Sequence, residues 1–157
     1  MRQKMSRRDV IRASALLVGG VCGCRVADGP AGARSTCCNT PDLEAASLTV
    51  EQDRLVIDLG KAPSLGEVGN AAYITNEERS LKLILVRTGR REYFALSRLC
   101  THGGQTISFN RKRGVLQCNN FNHSIFDLAG RIVKGPAEVP LKSYVVTLIE
   151  DKLMIAV

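Results

Sequence analysis

The sequence predicts a small all-β domain, an antiparallel sandwich or barrel, and three observations carry that expectation. Short runs rich in β-branched and aromatic residues recur at 55–59, 72–75, 81–86, 92–96, 130–134, 143–149 and 152–157. Turn chemistry separates them, as in Gly60-Lys61-Ala62-Pro63, Thr75-Asn76 and Thr88-Gly89-Arg90, and Glu150-Asp151 has the length of a tight hairpin. No stretch of the body keeps a 3.6-residue apolar period, and only residues 76–80 hint at a helical turn. Together these features favour a closed or two-layered antiparallel arrangement over any helical one.

Composition bounds the rest. A chain of 157 residues and 17.1 kDa suits one domain. With 45% hydrophobic and 24% charged residues, it can build a core and is neither disordered nor a polytopic membrane protein. The net charge of +7 is concentrated at one end, because Arg2, Lys4, Arg7, Arg8 and Arg12 against Asp9 hold more than half of it. Nucleic acid is not expected as a partner: the body's charges are interspersed, and three Tyr, four Phe and no Trp make a poor stacking platform.

The amino terminus reads as an address. Ser6-Arg7-Arg8-Asp9-Val10-Ile11-Arg12 precedes an apolar run over residues 13–23, in the manner of a twin-arginine export signal. That run is far shorter than the ~20 residues of a spanning helix. The expectation is export to the periplasmic side of the cytoplasmic membrane. Three endings are open: lipidation at Cys24 after Val21-Cys22-Gly23, cleavage at Ala31-Gly32-Ala33, or retention as an anchor. The organisation is therefore a signal at 1–24, a Gly/Ala/Pro/Ser-rich linker at 25–46 and a folded domain at 47–157. Cys37 and Cys38 lie in the linker with no histidine near them in sequence, and no ligand role is assigned to them.

Chemistry is concentrated in the last third of the chain. Of six cysteines, only Cys100 and Cys118 belong to the body, and the chain's two histidines, His102 and His123, stand beside them. A disulfide framework would spread its cysteines through the domain. Two loops, each offering one thiolate and one imidazole, suit tetrahedral zinc or a [2Fe–2S] cluster with mixed ligation.

Around these positions the chain resembles the Rieske iron–sulfur family. Cys100-Thr101-His102 matches the family's first loop, and Ser124-Ile125-Phe126-Asp127 the end of its second. Gly130 and then Gly135-Pro136-Ala137 follow in the same order. The resemblance spans roughly 47–157, with a cluster-binding part at about 98–137, and implies a Rieske-type fold with an inserted two-loop subdomain. It implies a [2Fe–2S] cofactor with Cys100 and Cys118 on one iron and His102 and His123 on the other. Gly103 and Gly104 would bring backbone N–H groups to the cluster sulfurs, and Ser124 would add a hydroxyl donor.

The chain departs from the family pattern in two places, and at a third it holds the phenylalanine the pattern allows. Four residues separate Cys118 from His123 where the family has two. The disulfide that ties the two loops in respiratory members has no counterpart, since Gln105 stands where its first cysteine would fall. Phe126 replaces a tyrosine whose hydroxyl donates to sulfur in those members. The functional expectation is one-electron transfer by an exported subunit or partner of a quinol- or arsenite-oxidase-like complex. Its redox partners would be a quinol-oxidising complex, a molybdenum-type oxidase or a cytochrome, with attachment to the membrane through the N-terminus. The alternatives are a Rieske ferredoxin serving an oxygenase and a zinc-stabilised binding domain without redox role. No independent catalytic site is seen; a mononuclear iron site would need two further histidines that the chain lacks.

Overall fold

The computed structural model describes residues 40–119 and 123–157. The export signal, its candidate ends, Cys37-Cys38 and the middle of the second loop, residues 120–122, lie outside the described residues.

Twelve strands follow one another along the described chain. They are β1 (Leu48–Val50), β2 (Arg54–Asp58), β3 (Ala71–Asn76), β4 (Leu81–Arg87), β5 (Tyr93–Ser97), β6 (Ile107–Asn110), β7 (Val115–Cys118), β8 (Ile125–Phe126), β9 (Ile132–Lys134), β10 (Ser143–Tyr144), β11 (Val146–Ile149) and β12 (Lys152–Ala156). They form three four-stranded sheets, ordered β1-β2-β12-β11, β10-β5-β4-β3 and β6-β7-β8-β9, and every pairing between strands is antiparallel. Among the described residues the only helical segments are 3-10 turns at Ala45–Ser47, Leu59–Lys61 and Pro63–Leu65. The all-β expectation holds.

The middle sheet explains the continuous apolar runs. Successive residues of a strand face opposite sides, and in β4 Leu83 and Leu85 enter one core while Ile84 and Val86 enter the other. β3 divides in the same way, Ala72 and Ile74 against Ala71 and Tyr73. The first core is closed by Leu55, Ile57, Leu153 and Ile155 from the β1-β2-β12-β11 sheet. The second is closed by Ile107, Phe109, Leu116 and Phe126 from the β6-β7-β8-β9 sheet, and it contains Cys100 and Cys118. That last sheet is an insertion: the chain leaves β5, builds four strands and returns to pair β10 against β5, with Ser143 opposite Leu96.

Several local expectations are refined. Residues 40–46, assigned by composition to the linker, pack on the body. Tyr73 N–H donates to Pro41 O at 2.8 Å, Leu43 N–H donates to Tyr73 O at 2.7 Å, and Glu44 accepts from Ser64 at 2.8 Å. β3 is the outer strand of its sheet, so its unpaired backbone groups need a cover, and a short polar segment supplies one whatever its side chains. The run 143–149 is two strands in two sheets. The chain turns the corner at Val145, which is 71% exposed. The hinted helical turn at 76–80 is the tight β3–β4 connection, with Ser80 at φ 52°. β6 and β7 escaped the sequence reading because Ser108, Asn110 and Gln117 interrupt their apolar pattern.

The two faces of β4 are separable by mutation. Leu83→Ala and Ile84→Ala should each cost ~2–5 kcal/mol in denaturant unfolding, as fully buried large-to-small changes do. Only Ile84→Ala opens the core that holds the thiols, so it alone should speed alkylation of Cys100 and Cys118 in the native protein. Equal labelling in both variants would contradict the two-core description.

Candidate metal centre

Two loops leave the inserted sheet side by side. The first runs from the end of β5 to the start of β6 and is pinched at its base by an antiparallel bridge between Leu99 and Thr106. Inside it, Cys100 N–H donates to Gln105 O and Gly104 N–H to Cys100 O, both at 2.8 Å. The second begins at Cys118, the last residue of β7, whose N–H donates to Ser124 O at 2.9 Å. Register does the rest. Ile107 pairs with Cys118 across β6 and β7, so the loops start from neighbouring positions.

A third segment closes over them. Gly135 adopts φ +110°, and a Cβ there would lie 2.5 Å from Ser124 Cα and 2.8 Å from His123 O. Ala137 N–H donates to Ser124 Oγ at 3.2 Å, and Thr101 Oγ1 donates to Val139 O at 2.6 Å. The segment is aimed by the preceding Asp127 turn, where Asp127 Oδ1 accepts from Ala129 N at 3.0 Å and from Arg131 N at 2.8 Å. Burial pushes the Asp127 carboxyl up, but these bonds and the Arg131 guanidinium hold it below its ordinary value.

The four predicted ligands divide sharply by environment. Cys100 and Cys118 are each 3% exposed, lie in the same core and form no disulfide. His102 and His123 are exposed. His123, at φ 25°, keeps Nδ1 within 2.9 Å of Cys118 O, which fixes its ring against its own loop. A backbone carbonyl on one ring nitrogen is the usual companion of a metal-binding imidazole. The thiols thus share one core, while the imidazoles are exposed. Among the described residues no three Cys, His, Asp or Glu side chains converge closely enough to hold a metal ion by themselves. An open cavity of about 320 Å³ lies against Cys118, Asn119 and His123.

The supporting residues fare differently. Gly104 sits at φ +68° with its N–H already given to Cys100 O, so its part is to turn the first loop. Gly103 has open space around it. Ser124 is 2% exposed and accepts from Ala137, which leaves its own proton to donate. Phe126 is fully buried in the thiol core and can donate nothing. Sequence reasoning missed Ser108, Asn119 and Thr106, which tie the roots of the two loops: Asn119 N–H donates to Thr106 O at 3.0 Å, and Ser108 Oγ to Asn119 Oδ1 at 2.8 Å. The adjacency of Asn119 to Cys118 was the available signal.

The donor set fits a mixed-ligand iron–sulfur cluster: two soft thiols shielded from water and two imidazoles at the rim, on loops held by backbone bonds. Two of the positive-φ glycines, Gly104 and Gly135, carry unequal constraints. Gly104→Ala should cost only the ~1–2 kcal/mol of a left-handed backbone, because nothing blocks its Cβ. Gly135→Ala meets backbone as well, and should cost clearly more in denaturant unfolding. Equal losses would contradict the close packing of the third segment on Ser124.

Known proteins match the chain in sequence and in fold. The profile of the Rieske [2Fe–2S] domain matches residues 59–145. A cytochrome b6-f complex iron-sulfur subunit of Cyanophora paradoxa is 33% identical over 69 residues, covering 44% of this chain and 28% of that protein. The chain therefore spans about a quarter of that relative's length. Among solved structures, the ferredoxin of carbazole 1,9a-dioxygenase from Nocardioides aromaticivorans superposes with a TM-score of 0.50 and 20% identity, over 59% of this chain and 91% of that one. The plasma membrane Rieske protein PetC3 of Synechocystis PCC 6803 gives a TM-score of 0.49 and 19% identity, over 55% and 86%. The match covers more than half of the chain and contains the whole of both loops, and the chain belongs to the Rieske [2Fe–2S] domain family, whose cofactor is a [2Fe–2S] cluster.

Proposed function

We propose that this protein is a one-electron carrier, exported and held at the periplasmic side of the cytoplasmic membrane, where it serves a quinol- or arsenite-oxidase-like redox complex. The observation that carries the electron-transfer reading is the split of the donor set, with two thiols in one core and two exposed imidazoles on the same two loops. Cys100 and Cys118 would hold one iron, and His102 and His123 the other. When bound, the cluster supplies exchange of a single electron. Core residues Ile107, Leu116 and Phe126 keep water from the thiolate side. The exposed imidazoles form the edge that a redox partner can approach, and Gly103 N–H and the Ser124 hydroxyl are the donors proposed for the sulfurs.

Export is supported by the sequence, Arg7-Arg8 before a short apolar run. It favours a complex on the far side of the membrane over an oxygenase fed by cytoplasmic nicotinamide cofactors. A quinol-oxidising complex, a molybdenum-type oxidase or a cytochrome would be the partner.

The purified protein should contain two irons and two acid-labile sulfides. Single replacement of Cys100, His102, Cys118 or His123 by Ala should abolish the cluster's visible absorption. Retention of an unaltered spectrum by His123→Ala would overturn the ligand assignment. Changing Arg7 and Arg8 to Lys should strand cluster-loaded precursor in the cytoplasm. Protein delivered outside by a strain that lacks the twin-arginine translocase would refute that route.

A further inference from the structure

No disulfide joins the second loop to the first through Cys100 or Cys118. A buried polar chain lies at their roots instead. Tyr73, on β3 of the middle sheet, places its hydroxyl 2.9 Å from Ile107 O and 3.2 Å from Ser108 Oγ. Ser108 Oγ donates to Asn119 Oδ1 at 2.8 Å. The proton inventory sets the direction. An amide oxygen only accepts, so the serine proton goes to Asn119, and Ser108 Oγ turns its lone pairs to the tyrosine. The Tyr73 proton is then shared between Ser108 and the Ile107 carbonyl.

Both inner members are buried, Ser108 at 6% and Tyr73 at 8% exposure, and Tyr73 belongs to the core that holds the thiols. A hydroxyl there is costly unless it is bonded, and this one is bonded at both ends. Tyr73 is itself pinned by the Arg98 guanidinium, 4.0 Å from its ring centroid. The chain ends on the residue that follows Cys118. Asn119 is also the residue whose N–H reaches Thr106 O, at the base of the first loop.

We infer that Tyr73, Ser108 and Asn119 form a non-covalent clasp that positions the second ligand loop, with Asn119 as its positioning residue for Cys118. The inference rests on the proposed reading of both loops as ligand loops. Asn119 is held twice, through its side chain to the middle sheet and through its backbone to the first loop. Cys118 is thereby fixed on the core side before any cofactor arrives.

The test uses the full chain, metal-free and cluster-loaded. In the metal-free protein, alkylation by iodoacetamide is followed at each cysteine by peptide mass spectrometry. Asn119→Ala and Ser108→Ala should each raise the Cys118 rate about five-fold, the weight of one buried hydrogen bond, and leave Cys100 unchanged. Asn119→Asp, which keeps the acceptor for Ser108, should stay near the wild-type rate. Tyr73→Phe keeps the ring beneath Arg98 and removes only the hydroxyl; it should show the same Cys118-selective change, and it decides the matter if the serine variant does not fold. In the loaded protein, iron loss to a chelator should accelerate by a similar factor. Unchanged Cys118 labelling, or equal acceleration at Cys100 and Cys118, would overturn the clasp. A wild-type protein that binds no iron would instead refute the ligand reading, and the labelling result would still decide the clasp.

Discussion

The antiparallel register of β6 with β7 is the constraint on which the site depends. It sets Ile107 opposite Cys118 and Asn110 opposite Val115. Because side chains alternate across a strand, a slip of one residue would turn Cys118 from the core to solvent and carry Leu116 with it. Burial prevents the slip: Ile107 and Leu116 are fully enclosed, and Phe109 and Cys118 nearly so. The hydrophobic face that stabilises the inserted sheet is the face that aims its cysteine.

From that register the division of labour between thiol and imidazole follows. The thiols lie where the inserted sheet meets the middle sheet, in a medium of low polarity, while the histidines are exposed. Such an arrangement insulates one side of a redox centre and leaves the other open. It also assigns the tuning elements. Hydrogen bonds to sulfur stabilise the more negative, reduced state, and Phe126 contributes none where a tyrosine would. A lost donor worth about 1 kcal/mol corresponds to roughly 40 mV for one electron. On the proposed ligand reading, the expected potential lies below the top of the Rieske range.

Much of this was legible in the sequence, for identifiable reasons. The runs at 81–86 and 92–96 read as strands because a sheet buried on both faces needs unbroken apolar residues. The pairing of each body cysteine with a histidine marked both loops, and Gly135-Pro136-Ala137 marked the segment that closes on them. What stayed hidden depends on distant partners. Ser108 reads as a surface residue until Tyr73 and Asn119 are seen beside it, and β6 and β7 lose their pattern to such polar members. The cover that residues 41–43 give to β3 leaves no mark in composition, because backbone atoms make it. The corner at Val145 is equally silent, since one apolar run serves two sheets.

The central claim is that two thiolates and two imidazoles, from loops of unequal spacing, share one [2Fe–2S] cluster. Pulsed electron paramagnetic resonance of the dithionite-reduced full chain tests it most directly, because nitrogen couplings count the imidazoles bound to iron. Two inequivalent strongly coupled nitrogens in the wild-type protein, with the whole signal lost in His123→Ala, is the result this account predicts. A single coupled nitrogen in the wild-type protein, unchanged by that substitution, would contradict it.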